Sequence, residues 1–292
     1  MIYDIRQTTT HLYETAVTRA RHALHLLPVA RPGQHVTAAV LDVDPIPFSR
    51  REAVDFFRNW TTLIDIEEPH ETLTVRLAAR VAVEAAEALD PEASPPWETV
   101  RAEACASADI GPESPVHYLH PSRQVSLDLA IRDYVRTSFP PGRPAFAGAV
   151  ELMGRIRHDF TYDPGATTVT TTPAAAFASR RGVCQDFAHV MIAGLRGIGL
   201  PARYVSGFLR TVPRPRTERL EGADAMHAWV MVWCGAAGWR GLDPTNALIA
   251  GDEHIVLALG RDYADVAPIN GVMLASGSQR LTTAVDVIPL AT

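Results

Sequence analysis

Residues 181–200 read RGVCQDFAHVMIAGLRGIGL, and their spacing decides how the rest of the chain is interpreted. From Cys184 onward, Phe187, Ala188, Met191, Leu195 and Ile198 recur at intervals of three and four, the period of a helix with one buried face. Cys184 therefore falls in the first turn, on the core side, and Gly197, Gly199 and Pro201 close the helix. A thiol at a helix start lies among unpaired backbone N–H groups at the positive end of the dipole, which favours the nucleophilic thiolate. Taken alone, such a residue reads first as a buried structural cysteine.

A nucleophilic thiol needs a base, and the base needs an orienting group. Residues 225–233, AMHAWVMVW, alternate so that His227, Trp229, Met231 and Trp233 share one face of a strand and Ala228, Val230 and Val232 the other. Residues 239–246, WRGLDPTN, read as a returning strand stopped at Pro244. With the turn centred on Ala236, Asp243 faces Trp229 and lies diagonally from His227 on the same face. Diagonal neighbours stand roughly 7 Å apart at the backbone, within reach of an aspartate and an imidazole. Separately, His227 is an ordinary strand histidine and Asp243 a turn starter. A helix-start cysteine followed by a His/Asp hairpin favours catalysis.

The segments GVCQDFAHV, DAMHAWVMVW and GWRGLDPTN resemble the three motifs of the transglutaminase-like superfamily. The opening MIYDIRQTTTHLYETAVTRARHALHLLP, the stretches VDFFRNW and IEEPHETLTV, and GRDYADVAPINGV near the end are similar to the bacterial branch with its own N-terminal region. The resemblance implies a papain-like catalytic core with Cys184 as nucleophile, His227 as base and Asp243 as the third member. It also implies acyl transfer through a thioester. Hydrolysis of a peptide or isopeptide amide is the expected outcome, protein-glutamine transglutamination the alternative. A non-catalytic binding protein that keeps the fold is a further reading. A metal-dependent hydrolase using Cys184, His189 or His227 is disfavoured, because His189 lies about 140° around a helix from Cys184.

The bulk properties read as those of an ordinary soluble acidic protein. The chain has 292 residues and a formal net charge of -6, which gives no electrostatic footprint for nucleic acid or acidic lipid. No apolar run is long enough to span a bilayer and no secretory h-region opens the chain. Three cysteines, at 105, 184 and 234, form no disulfide framework, so a cytoplasmic location is expected. No acidic calcium loop is visible, and neither a cofactor nor a metal is expected.

An α+β architecture follows. Residues 1–100 carry alternating runs separated by RPGQ, DPIP and EEPHE, the pattern of an antiparallel β-sandwich-like domain. Residues 101–124 read as a proline-rich linker, and 125–292 as the catalytic domain with C-terminal strands completing it. Helices are expected over 125–137 and 146–160, and a short one after Thr172 as N-cap with Pro173 in its first position. Tyr162, in the loop before Cys184, is expected to wall the cleft and to help hold the oxyanion. Trp229, beside His227, is taken as a second substrate-binding residue. Arg214, Arg216 and Arg219, in the loop 211–224, are either a solvated loop or an attraction for acidic substrates. Asp262 and Asp265 carry no chemistry that the residues themselves assign.

Overall fold

The computed structural model describes residues 1–85, 87–210 and 224–290. The first strands are β1 (Ile2–Val17), β2 (Arg19–Leu24), β3 (Gln34–Asp44), β4 (Ser49–Val54), β5 (Trp60–Ile66) and β6 (His70–Val83). In β1 the alternation is direct: Tyr3, Ile5, Gln7 and Thr9 are buried, while Ile2, Arg6 and Thr8 face out. A helical core follows, with α1 (Trp97–Ala106), α2 (Leu129–Arg136), α3 (Ala145–Asp159), β7 (Thr161–Tyr162), α4 (Pro173–Ser179), β8 (Arg181–Gly182) and α5 (Cys184–Gly197). The chain ends with β9 (Ala202–Leu209), β10 (Met226–Trp233), β11 (Trp239–Asp243), β12 (Leu248–Ile249), β13 (His254–Gly260), α6 (Tyr263–Val266), β14 (Ile269–Leu274) and β15 (Gln279–Leu290).

Asp128 starts α2, its carboxylate accepting from Ile131 N at 3.0 Å, and so delays the helix past Leu127. Thr172 caps α4 with Pro173 in the first turn, as its sequence implies. Every residue of α5 from Gln185 to Arg196 is buried. A helix apolar on most sides must be enclosed, and α5 lies against the antiparallel sheet β12-β11-β10-β9-β13 and under α2. Gly194 permits that contact, since a Cβ there would run into the Val135 side chain.

Two sheets, β15-β1-β6-β3 and β14-β2-β5-β4, face each other over Tyr3, Ile5, Leu73, Leu77, Ile64 and Ile66. The two last strands correct the expected domain boundary. Rather than completing a sheet of the catalytic core, β15 pairs with β1 and β14 with β2. Val285 and Val287 of β15 fill the sandwich core, which β1 alone leaves open on that side. Residues 101–124 are likewise not a loose linker. Ala104 of α1 and Tyr118 are fully buried, and the Arg196 guanidinium donates to His120 O and Ser122 Oγ.

The sandwich is fastened to the catalytic sheet by two buried amides on the outer edge of β13. Gln34 donates to Val256 O and accepts from Val256 N, both at 2.8 Å. Asn59 does the same at Leu259, donating to its O at 2.7 Å and accepting from its N at 2.8 Å. Each side chain imitates the strand pairing that β13 lacks on that side. Phe208, Ile255 and Leu257 of the catalytic sheet pack into the sandwich core beside them. No helix among the described residues is long and apolar enough to cross a membrane.

Asn59 is fully buried, so Asn59→Leu leaves Leu259 N–H and C=O without partners. A loss of about 1–3 kcal/mol for each unpaired group is expected. Urea unfolding of this variant beside the wild type measures it, and an unchanged midpoint would show that the contact carries no stability.

Candidate active site

Residues 182–186 set the start of α5. Gly182 has φ +158°, and a Cβ there would meet the Asp186 side chain at 2.5–2.8 Å. That close approach lets the Asp186 carboxylate reach back to accept from Val183 N at 2.8 Å and from Thr167 Oγ1 at 2.6 Å. Burial raises the Asp186 carboxyl above its ordinary range, against the pull of these bonds. With the cap made, Cys184 stands in the first turn, half-buried, with its backbone N–H among the donors a helix start leaves free.

His227 lies near the start of β10. The register there follows the expectation from the turn at Ala236: Trp233 pairs with Trp239, Val232 with Arg240, Met231 with Gly241 and Val230 with Leu242. One step further along, Asp243 comes diagonal to His227, and His227 Nε2 lies 2.8 Å from Asp243 Oδ2. Cys184 lines the same cavity as His227 and is a second group acting on the imidazole. Burial alone would lower the His227 pKa; Asp243 and Cys184 outweigh it and raise the imidazole to about 10.

Asp243 has no solvent exposure. Burial would raise its carboxyl, but donors from His227, His254 and Asn246 hold it well below the usual carboxylate range. Thr245 N and Asn246 N donate to Oδ1 at 2.9 and 3.2 Å, and Asn246 Nδ2 donates to Oδ2 at 2.8 Å. His254 Nε2, on β13, stands 3.5 Å from Oδ2. Asn246 and His254 are absent from the sequence reading. The Asp-Pro-Thr-Asn turn carries a signal for the first, since a residue three on from Asp243 folds back over it; nothing local marks His254.

A cavity of about 260 Å³ opens at Cys184. His227, Tyr204, Ser206 and Tyr263 line it from the catalytic core, and Gln7, Thr9 and Thr283 from the sandwich. Trp229 is a correction: it is only 1% exposed and cannot meet a substrate. The alternation does place it on the His227 face, but β9 and β13 cover it. Its ring sits 6.2 Å from His227 and 5.2 Å from His254, forming the floor beneath both. Gly207 makes the space, since a Cβ there would meet the indole at 2.6 Å. Tyr162 is 55% exposed and does not line the cavity. Its strand β7 pairs with β8 just before Cys184, and burial and the cysteine's charge both raise its hydroxyl pKa.

His189 Nε2 accepts from Tyr263 N at 3.2 Å. Among the described residues no three His, Cys, Asp or Glu side chains converge on a metal position. Asp262 caps α6, accepting from Ala264 N at 2.9 Å, and also accepts from Gln124 N at 2.6 Å. Asp265 pairs with Arg261. Arg214, Arg216 and Arg219 lie outside the described residues.

The family model of the transglutaminase-like superfamily matches residues 132–244, and that of the bacterial transglutaminase-like N-terminal region matches residues 3–82. An uncharacterised protein of Mycobacterium tuberculosis is 36% identical over 295 residues, covering 98% of this chain and 92% of the relative. A protein-glutamine gamma-glutamyltransferase of Pseudomonas aeruginosa is 35% identical over 99 residues, 32% of this chain and 15% of that protein. A solved structure from Cytophaga hutchinsonii, a candidate cysteine protease, superposes with TM-score 0.78 over 100% of this chain and 91% of its own, at 21% identity.

The charges at His227 and Asp243 fix a pH signature. His227 has a folded pKa of about 10, above the ordinary 6.5, so its contribution to stability is full below about pH 6.5 and is lost as pH rises through about 10. The Asp243 pKa is depressed, so its contribution is present above the ordinary 3.8 and is lost as pH falls towards its folded value. The stability gap between wild type and Asp243→Asn is therefore expected to be widest between pH 4 and 6.5 and to narrow towards pH 10. Urea unfolding across that range checks it, and a constant gap would contradict the pairing.

Proposed function

Because the chain belongs to the transglutaminase-like superfamily, we propose that it is a cysteine-nucleophile acyltransferase that cleaves a peptide or isopeptide amide, with water as the acceptor. The observation that carries this reading is one arrangement: Cys184 at a helix start shares a cavity with an imidazole whose Nε2 lies 2.8 Å from a fully buried carboxylate.

In the attacking step the Cys184 proton passes to His227, whose charged form the Asp243 carboxylate favours. The sulfur attacks the amide carbon, and the resulting oxyanion is held by the Cys184 N–H at the positive end of α5. The imidazolium then gives its proton to the leaving amine, the C–N bond breaks, and a thioester remains. Water attacks the thioester while His227 takes its proton; the acid is released and the thiol restored. Asp243 holds the ring orientation and stabilises its positive charge throughout.

Water as acceptor is supported by the half-exposed position of Cys184 and the exposed Tyr162 beside it, since aminolysis of a thioester needs water kept away. The similarity over 99 residues to a protein-glutamine gamma-glutamyltransferase favours the second reading, transfer to an amine. Mass spectrometry separates them. A peptide carrying a side-chain isopeptide amide, incubated with excess primary amine, is expected to be cleaved to the free carboxylic acid rather than to the amine adduct; predominance of the adduct would establish the transferase reading.

Cys184→Ala is expected to abolish both products while the variant unfolds at the wild-type urea concentration to within about 1 kcal/mol, because the side chain is only half-buried. Activity retained in that variant would remove Cys184 from the mechanism. Asp243→Asn is expected to lower kcat by about a hundredfold or more, as for the loss of a group that sets the imidazole tautomer; wild-type turnover would separate the buried carboxylate from catalysis.

A further inference from the structure

The cavity at Cys184 has a second wall that the catalytic core does not supply. In the sandwich, Thr9 of β1 lies opposite Thr283 of β15, and His11 opposite Leu281. Gln7, Thr9, Leu281 and Thr283 all line the cavity. They continue the inner-face row that Val285 and Val287 bury in the sandwich core. Gln7 Nε2 donates to Thr9 Oγ1 at 3.1 Å, and Thr9 Oγ1 lies 3.4 Å from Thr283 Oγ1. Gln7 is 2% exposed, and its Oε1 has no hydrogen-bond partner among the described residues. A buried acceptor left unpaired is costly, which points to a donor that arrives with a ligand.

The backbone beside this row points to the ligand's class. Asp224 N donates to Val285 O at 3.1 Å, and Val287 N donates to Asp224 Oδ2 at 2.7 Å. These contacts fix which residues of β15 turn their backbone groups away from β1. By the two-residue period of a strand, Thr283 and Leu281 turn theirs the same way. Both are exposed, and no strand pairs with that edge among the described residues. Among the described residues, an unpaired edge thus runs along the mouth of the cavity that holds Cys184.

We propose, resting on Cys184 as the acyl-transfer nucleophile, that the acyl donor is an extended polypeptide segment added as a strand to the outer edge of β15 at Leu281 and Thr283. Main-chain pairing with that edge supplies affinity, and every second side chain of the segment turns into the cleft. Gln7 Oε1 accepts an N–H from the side chain so placed. The N-terminal sandwich, joined to the catalytic sheet through Gln34 and Asn59, is then half of the substrate site. Single amino-acid amides, which lack flanking backbone, are poor donors.

The test uses the full-length protein and an alkylating peptide. An acetylated, amidated pentapeptide of alanines carries at its centre a side-chain chloroacetamide; the Cys184 sulfur displaces chloride, forming a C–S bond and releasing chloride. The same residue without flanking alanines is the comparison, and intact mass gives both rates. Wild type is expected to react about tenfold faster with the pentapeptide, the worth of two or so backbone hydrogen bonds. Thr283→Pro deletes only an outward N–H, a position where an edge strand tolerates proline, and is expected to bring the two rates within about twofold of each other. Methylating the backbone nitrogens of the pentapeptide is expected to do the same in wild type, with no change to the protein.

A pentapeptide advantage that survives both Thr283→Pro and backbone methylation would overturn the added strand, as would equal rates for both probes in wild type. Iodoacetamide, which needs no strand, separates the two levels of inference. Rapid labelling of Cys184 by iodoacetamide together with loss of the expected pentapeptide advantage discards the strand and keeps the nucleophile. Failure of iodoacetamide to label Cys184 discards the nucleophile and the strand with it.

Discussion

The contact between His227 and Asp243 ties the start of β10 to the end of β11, and His254 brings β13 beside them. A carboxylate with no solvent contact is tolerated only when its oxygens are met by donors, and Asp243 has them from its own turn, from Asn246 and from His227, with His254 close by. Each donor comes from a different constraint. The turn donors require the chain to reverse at Pro244, His227 requires the register of β10 on β11, and His254 requires β13 to lie on the other side of β9. A slip of one residue between β10 and β11 would turn His227 to the α5 side and leave the buried charge without its main partner.

The helix that carries Cys184 depends on a different kind of constraint. It is enclosed on nearly all sides, so its direction is set by packing against the sheet and α2 rather than by its own amphipathic face. Asp186 closes the first turn from within, which lets the cysteine stand at the end of the buried helix without a polar residue as N-cap. Cys184 and His227 thus line one cavity because a helix end and a strand end are both anchored in one core, with Trp229 filling the space beneath the imidazole.

The sandwich is integral to this arrangement. Gln34 and Asn59 complete the hydrogen bonding of β13, and Phe208 and Ile255 run from the catalytic sheet into the sandwich core. The return of β14 and β15 to the N-terminal strands makes the two halves topologically inseparable, because the first and last segments of the chain form one sheet. The cavity wall formed by Gln7, Thr9 and Thr283 is a consequence of that closure.

Local periodicity determined much of this protein from sequence alone. The three-and-four spacing after Cys184, the alternation around His227, the hairpin centred on Ala236 and the cap at Thr172 are short-range patterns, and the backbone obeys each of them. Alternation says which residues share a face but not what covers that face, so Trp229 reads as a cleft residue until β9 and β13 are in place and proves to be a buried floor. The proline content of residues 101–124 says that long elements are absent, and is silent on whether the segment packs. His254 on Asp243, Gln34 and Asn59 on β13, and the pairing of β15 with β1 join residues distant in sequence. Such contacts are selected by the burial of complementary surfaces and the pairing of buried polar groups, which only the assembled tertiary structure decides.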